Sequence, residues 1–261
     1  MKVTLITGAS SGIGEAFARR LAAEKHDLVL VARNEKKLHE LCDELMLKHQ
    51  IMAHYIVLDL AEPDVDRKLF AQTEYHGFEI QWLINNAGFG STGDFAKLDI
   101  DRERQMIELN ISALVAITHC YLTGMRERKS GKIINVSSAA GFQPIPFMAT
   151  YAATKAFVSS FSEAIAEENR PFGIQVLTLC PGSTATNFFA ASNIDRPIQV
   201  KGQQTAEDVV ETAMRAIKGG KTKVVSGIAN KLGAFLGTHT PHFLSSRVMA
   251  RALRSRFQEN K

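Results

Sequence analysis

Cysteine is scarce in this 261-residue chain: there are three, Cys42, Cys120 and Cys180. They are odd in number, far apart and set in apolar surroundings, which suits neither a disulfide framework nor a metal cluster. All three are expected to be free thiols, and no metal site is expected. Net charge is also low. The 31 basic and 27 acidic residues leave a formal +4, no footprint for nucleic acid as a partner. A long apolar run at the start is missing as well. Behind Lys2 the apolar stretch ends at Thr7 and Gly8 after about five residues, too short for an export signal or a membrane span. A cytoplasmic location is the expectation, and the glycosylation-like matches at Asn110 and Asn135 are then chance. No internal repeat, low-complexity segment or obvious linker occurs.

What is present suffices for a large core: 45% hydrophobic residues in 261 fit one large α/β domain. The chain is organised around residues 3–14, a β-branched apolar run that stops at a glycine-rich turn and continues as an amphipathic helix carrying Phe17 and Leu21. Glycines let a backbone approach a ligand closely, and the free N–H groups opening a helix favour an anion, most often phosphate. Further strands read at 27–32, 53–58, 81–84, 132–136 and 174–179, with helical patterns at 34–49, 63–76, 101–128 and 152–169. The alternation predicts a Rossmann-type, doubly wound parallel sheet with helices on both faces. Ligands of such sheets bind beyond the carboxyl ends of the strands, so residues 8–14, Arg33, Asp59, 85–88, Ser137, Ser138, Pro181 and Gly182 are the ones to inspect.

Those strand ends carry a family resemblance. Thr7-Gly8-Ala9-Ser10-Ser11-Gly12-Ile13-Gly14, Asn85-Asn86-Ala87-Gly88, Asn110, Ser138, Tyr151-Ala152-Ala153-Thr154-Lys155 and Pro181-Gly182 together resemble the single-domain short-chain dehydrogenases/reductases, in register over roughly residues 2–225. The glycine spacing departs from the G-x-G-x-x-G of other dinucleotide folds, as is typical of that family. The resemblance implies an NADP-binding catalytic oxidoreductase domain over 1–227; the basic amphipathic extension 228–261 lies outside it and is expected to pack on the same domain. It also implies catalytic roles for Asn110, Ser138, Tyr151 and Lys155. Tyr151 would protonate the oxygen that hydride transfer charges, and Ser138 would hydrogen-bond that oxygen. Lys155 would hold the nicotinamide ribose, and Asn110 a water leading from Lys155 to solvent. Simple electrostatics agrees with a tyrosine acid: a cation about 4 Å away at an effective dielectric of about 20 contributes roughly 4 kcal/mol, enough to lower a phenol by about three pKa units. Lys155, one helical turn on, can supply that cation.

For the cofactor, the resemblance assigns the turn Gly8, Ser10, Ser11, Gly12, Ile13 and Gly14 to the pyrophosphate. Asp59, with Leu60 beside it, is assigned to the adenine amino group, and Asn86, Ala87 and Gly88 to the adenosine side. Thr184 and Thr186, after Pro181 and Gly182, are assigned to the nicotinamide amide. Ala32 takes the position usually held by an acid that would repel a 2'-phosphate, and Arg33 follows it, so NADP(H) is predicted. Residues near the presumed centre are mostly apolar (Phe89, Ala139, Ala140, Phe142, Ile145, Pro146, Phe147, Met148, Phe188, Phe189), and no arginine or lysine is placed to hold a carboxylate. They suit a small hydrophobic ketone, aldehyde or secondary alcohol, or they are simply core. Residues 183–204 read as a substrate lid. A non-catalytic NADP-binding sensor or scaffold is the alternative, against which the intact Asn110, Ser138, Tyr151 and Lys155 weigh; for epimerisation or dehydration no extra acid or base is found. A homo-oligomer built on 101–128 and 152–169 is expected from the resemblance. The tail carries Lys231, Arg247, Arg251, Arg254, Arg256 and Lys261 against Glu259 alone among apolar residues. It reads either as a membrane-surface helix or, the preferred reading, as a helix over the substrate pocket or at a subunit interface with a solvated basic face.

Overall fold

The computed structural model describes residues 1–186 and 203–257. From the N-terminus run β1 (Lys2–Thr7), α1 (Gly12–Ala23), β2 (Leu28–Ala32), α2 (Glu35–His49), β3 (Ala53–Val57), α3 (Val65–Tyr75) and β4 (Glu79–Asn85). A continuous helical stretch follows: α4 (Ile100–Ile107), a π segment (Glu108–Ala113) and α5 (Leu114–Glu127). Then come β5 (Gly131–Val136), α6 (Ala149–Asn169), β6 (Ile174–Cys180), α7 (Ala206–Lys218), β7 (Lys223–Val225), α8 (Ile228–His239) and α9 (His242–Phe257). The strands pair in the order β3-β2-β1-β4-β5-β6-β7, every pairing parallel. The predicted Rossmann-type sheet is the observed one.

Strand periodicity explains the two cores. In β2 every residue is buried: Leu28 and Leu30 join Phe17, Leu21, Leu38, Leu45, Val209 and Ile217 on one face, while Val29 and Val31 join Leu69, Ile117, Tyr121, Met125 and Ile165 on the other. Asn34 caps α2 by accepting the Lys37 N–H. Residues 100–127 are long and apolar enough by length and composition to cross a membrane, yet Leu114, Ile117, Tyr121 and Met125 lie buried, as in a core helix.

Three features depart from the sequence reading. Helix α6 starts at Ala149 rather than 152, so Tyr151 sits in its first turn. Helix α7 and strand β7 were not anticipated, although Thr205 and Asp208 form a capping box ahead of an apolar helical pattern. The tail is two helices rather than one, because Thr240 and Pro241 interrupt it and proline cannot continue the helical hydrogen-bond ladder.

Candidate active site

Strand order reverses between β1 and β4, which leaves a crevice beyond their carboxyl ends. The turn that fills it is held open by glycines. Gly8 (φ 65°) and Gly12 (φ 59°) adopt the left-handed region, and a Cβ on Gly14 would lie 2.3 Å from the Gly8 carbonyl oxygen. Ser11, the N-cap of α1, makes no side-chain cap bond, so the first N–H groups of α1 remain available for an anion. The turn is bolted to β4. Asn86 Nδ2 donates to the carbonyls of Thr7 (3.0 Å) and Gly8 (3.2 Å), and Thr7 Oγ1 accepts the N–H groups of Asn86 and Ala87, each at 3.0 Å. A cradle of this shape, which any Cβ would fill, fits the pyrophosphate of a dinucleotide.

At the next strand ends Arg33 is largely exposed, with Nη1 3.5 Å from Asp59 Oδ2, while Asp59 Oδ1 accepts the Ala61 N–H at 3.0 Å. Leu60 is 4% exposed and packs in the core, so its side chain holds the strand end in place.

Tyr151 and Lys155 share a face of α6, and Ser138 caps the short turn after β5. The Ser138 hydroxyl lies beside that of Tyr151 and favours its ionised form. Ser138 Oγ also accepts the Ala140 N–H at 3.1 Å, which leaves the serine proton to donate. Ser137 faces away: its hydroxyl donates to the Lys155 carbonyl (2.7 Å) and meets Ser159 (2.8 Å). Asn110 lies in the π segment, 1% exposed, with its amide committed. Nδ2 donates to the Phe89 carbonyl (3.0 Å) and Thr154 (3.1 Å), and Oδ1 accepts the Phe89 N–H (3.2 Å). Its side chain clamps the chain beside Gly88, where a Cβ would lie 2.8 Å from Oδ1.

The electrostatics depart from the simple expectation for Tyr151. Burial pushes the Tyr151 phenol up to about 12, opposed by the Ser138 hydroxyl, and pushes the Lys155 ammonium down to about 8. Lys155 does not pull Tyr151 below its ordinary range, because both groups have lost water and Nζ donates to the Val136 carbonyl (3.0 Å), 5.9 Å from the tyrosine ring centroid. A linkage prediction follows. The unfolded chain keeps the Lys155 proton up to about 10.5 and the folded chain releases it near 8, so this group's contribution to stability rises with pH across that window. The rise totals about 3 kcal/mol. Urea midpoints from pH 8 to 10 should climb more steeply for the parent than for Lys155→Met, and parallel curves would refute it.

A cavity of about 440 Å³ opens over these residues. Ile13, Asn86, Gly88, Ser138, Tyr151, Lys155, Pro181, Gly182, Thr184 and Thr186 line it, as do Ala139, Ala140, Ile145 and Met148. Lys155 is the one charged residue among the described residues that do so. Three of the phenylalanines expected here turn elsewhere because each finds another partner. Arg102 sits over Phe89 (4.8 Å), Lys223 over Phe142 (4.6 Å), and Phe147 stacks on Phe257 (5.1 Å). Phe188, Phe189 and most of the expected lid lie outside the described residues. The ends of that segment are joined: Ala185 N–H donates to Gln204 O (2.9 Å), and Gln204 N–H to Ser183 O (3.2 Å).

Sequence reading missed several contributors. Thr7 was seen only as part of the motif, not as the pin between β1 and β4. Asn85 Nδ2 donates to Thr118 and to Asn135 Oδ1 (both 2.9 Å), and Asn135 Nδ2 to Ser162 (2.9 Å), a buried chain that fixes the ends of β4 and β5 against α5 and α6. Gln143, Asn230 and Met249 also line the cavity. Asn230 lies flush on Gly182, where a Cβ would come 2.1 Å from its Nδ2. Thr7 and Asn85 had a signal, their places in the strand-end motifs; the tail residues had none.

A parallel sheet reversing at β1 and β4, with a glycine cradle at the crevice and a serine–tyrosine pair beside it, defines a dinucleotide-binding α/β oxidoreductase. The family described as short chain dehydrogenase matches residues 2–197, and this chain belongs to it. The very-long-chain 3-oxoacyl-CoA reductase of Mus musculus is 30% identical over 264 residues, covering 98% of this chain and 82% of the relative. Among solved structures, a short-chain dehydrogenase from Sphingobium yanoikuyae in complex with NADPH superposes with a TM-score of 0.82 at 28% identity, covering 100% of this chain and 98% of that one. The bulky-bulky ketone specific alcohol dehydrogenase from Comamonas testosteroni gives 0.78 at 26% identity, covering 100% and 96%.

Proposed function

We propose that this chain catalyses NADP(H)-dependent interconversion of a hydrophobic ketone or aldehyde and its alcohol. The observation that carries the reading is the Ser138–Tyr151 hydroxyl pair in the wall of a cavity whose other described lining residues include no charge but Lys155. The nicotinamide, when bound, supplies or accepts the hydride at the substrate carbon. Tyr151 then gives its proton to the carbonyl oxygen; a phenol held near 12 is fully protonated at neutral pH and available as the acid. Ser138 hydrogen-bonds the same oxygen as it gains charge. Lys155 binds the ribose and offers its ammonium to the site, and Asn110 positions the chain beneath it by clamping Phe89. The glycine turn holds the pyrophosphate, with Asp59 and residues 86–88 on the adenosine side and Thr184 and Thr186 near the nicotinamide. The NADPH complex of the Sphingobium protein supports the phosphorylated cofactor. The ketone and 3-oxoacyl-CoA named for the two other relatives support a hydrophobic carbonyl.

NADPH oxidation should be followed with ketones, aldehydes and 3-oxoacyl thioesters of graded size. Turnover of apolar carbonyls supports the reading, whereas binding of NADPH with no carbonyl reduced favours a sensor. Arg33, exposed at the end of β2, is proposed to pair with the 2'-phosphate in place of Asp59. Arg33→Ala should raise the Kd for NADPH roughly ten- to hundredfold, the worth of hydrogen bonds to a charged group, and leave NADH within about twofold. Fluorescence titration of both nucleotides decides it: equal weakening would remove Arg33 from phosphate recognition.

A further inference from the structure

Helix α8 is built with its bulk facing outward. Small residues supply its inner side: Ala234 and Gly237 are buried, and a Cβ on Gly237 would lie 3.2 Å from Gln143 Oε1. Its large apolar residues, Ile228, Leu232, Phe235 and Leu236, are 86%, 61%, 58% and 53% exposed. Their spacing, i, i+4, i+7 and i+8, puts them on one stripe. Helix α9 continues the pattern. Met249 lines the cavity, Leu253 is buried and Phe257 stacks on Phe147, while Phe243, Leu244 and Val248 are exposed. Exposed Arg247, Arg251 and Arg254, at i, i+4 and i+7, form a basic row on the same helix. Between residues 228 and 257 the chain has five basic residues, Lys231 and Arg256 being the others, and no acidic one.

Exposed apolar side chains at this density call for a partner, and the charge selects it. A second copy of this chain meeting the same face across a two-fold axis would set basic row against basic row with no acid on α8 or α9 to compensate. An anionic lipid surface answers both properties, taking apolar side chains at the acyl boundary and arginines at the phosphates and carboxylates of its headgroups. We propose that α8 and α9 dock the protein on an anionic phospholipid bilayer. The two readings of the tail are thereby compatible, since its inner side covers the cavity and its outer side meets lipid. The docking helices also contribute Ala229, Asn230, Gly233, Ala234 and Met249 to the cavity wall. A lipid-dissolved substrate would therefore meet the element that encloses the site, a consequence that rests on the proposed function, whereas docking does not.

The test is co-sedimentation of the full chain, without cofactor or substrate, with vesicles of phosphatidylcholine alone or with about one third phosphatidylserine. Binding to the anionic vesicles, weak binding to the neutral ones and release by high salt are expected. Arg247→Gln/Arg251→Gln/Arg254→Gln should lower the partition coefficient roughly a hundredfold, and Leu232→Ser/Phe235→Ser at least about tenfold. Both variants change exposed residues, and their melting temperatures should match the parent. A parent that stays in the supernatant, or variants that bind as the parent does, would overturn the proposal. So would a Leu232→Ser/Phe235→Ser variant that loses subunits in sedimentation velocity while its vesicle binding is unchanged, since the face would then belong to a second copy.

Discussion

Tyr151→Phe is expected to lower kcat/KM for carbonyl reduction by roughly 10²–10⁴-fold while NADPH affinity stays within about threefold. The substitution removes one oxygen. The ring, buried to 7% exposure with Lys155 Nζ 5.9 Å from its centroid, keeps its packing, and Lys155 keeps its bond to the Val136 carbonyl. What is lost is the proton given to the substrate oxygen, along with the partner of Ser138. The loss therefore falls on kcat more than on KM. Ser138→Ala, which removes a hydrogen bond but not the acid, should cost less. Steady-state kinetics and nucleotide titration on the two variants decide the point; turnover by Tyr151→Phe within tenfold of the parent would place the acid elsewhere.

Gly14→Ala is expected to be the most damaging single-methyl change in the nucleotide site. The added Cβ would stand 2.3 Å from Gly8 O, 2.6 Å from Asn86 Nδ2 and 2.8 Å from Gly8 C. None of these atoms is the end of a free side chain. Gly8 is backbone in a left-handed turn, and Asn86 is fixed by its bonds to the Thr7 and Gly8 carbonyls. Relief requires α1 to move off the turn, so we expect a stability loss of about 3 kcal/mol, the upper range for overpacking, and NADPH binding weakened at least about tenfold beyond what the loss of folded protein explains. Urea unfolding with and without nucleotide measures both. At Gly77, by contrast, an added Cβ meets nothing within 4 Å, so Gly77→Ala controls for glycine replacement as such, its φ of 66° adding local strain alone.

Much of this site was legible because its residues stand where the local pattern changes. The glycine turn follows an apolar run and precedes a helical one. Arg33 ends a strand buried at every position, and Tyr151 and Lys155 are one helical turn apart. Each of these signals is short-range. The contributors that went unread act at long range. Thr7 matters because Asn86 and Ala87 lie against it, Asn135 because Asn85 and Ser162 do, and Asn230 because Gly182 has no side chain to exclude it. The phenylalanines around residues 142–147 were misplaced for the same reason: apolar residues near a site in sequence turn toward whichever cation or ring the fold brings to them.

The sequence by itself therefore determined the alternation of strand and helix, the turn that only glycines can form and the order of polar residues at the strand ends, since periodicity and backbone freedom are properties of neighbours in the chain. Tertiary structure alone decided which way the Tyr151 and Lys155 proton affinities move and that Asn110 acts as a clamp. It also decided that the two tail helices turn large apolar side chains outward. Desolvation and packing depend on residues far apart in the chain, which composition and spacing do not bring together.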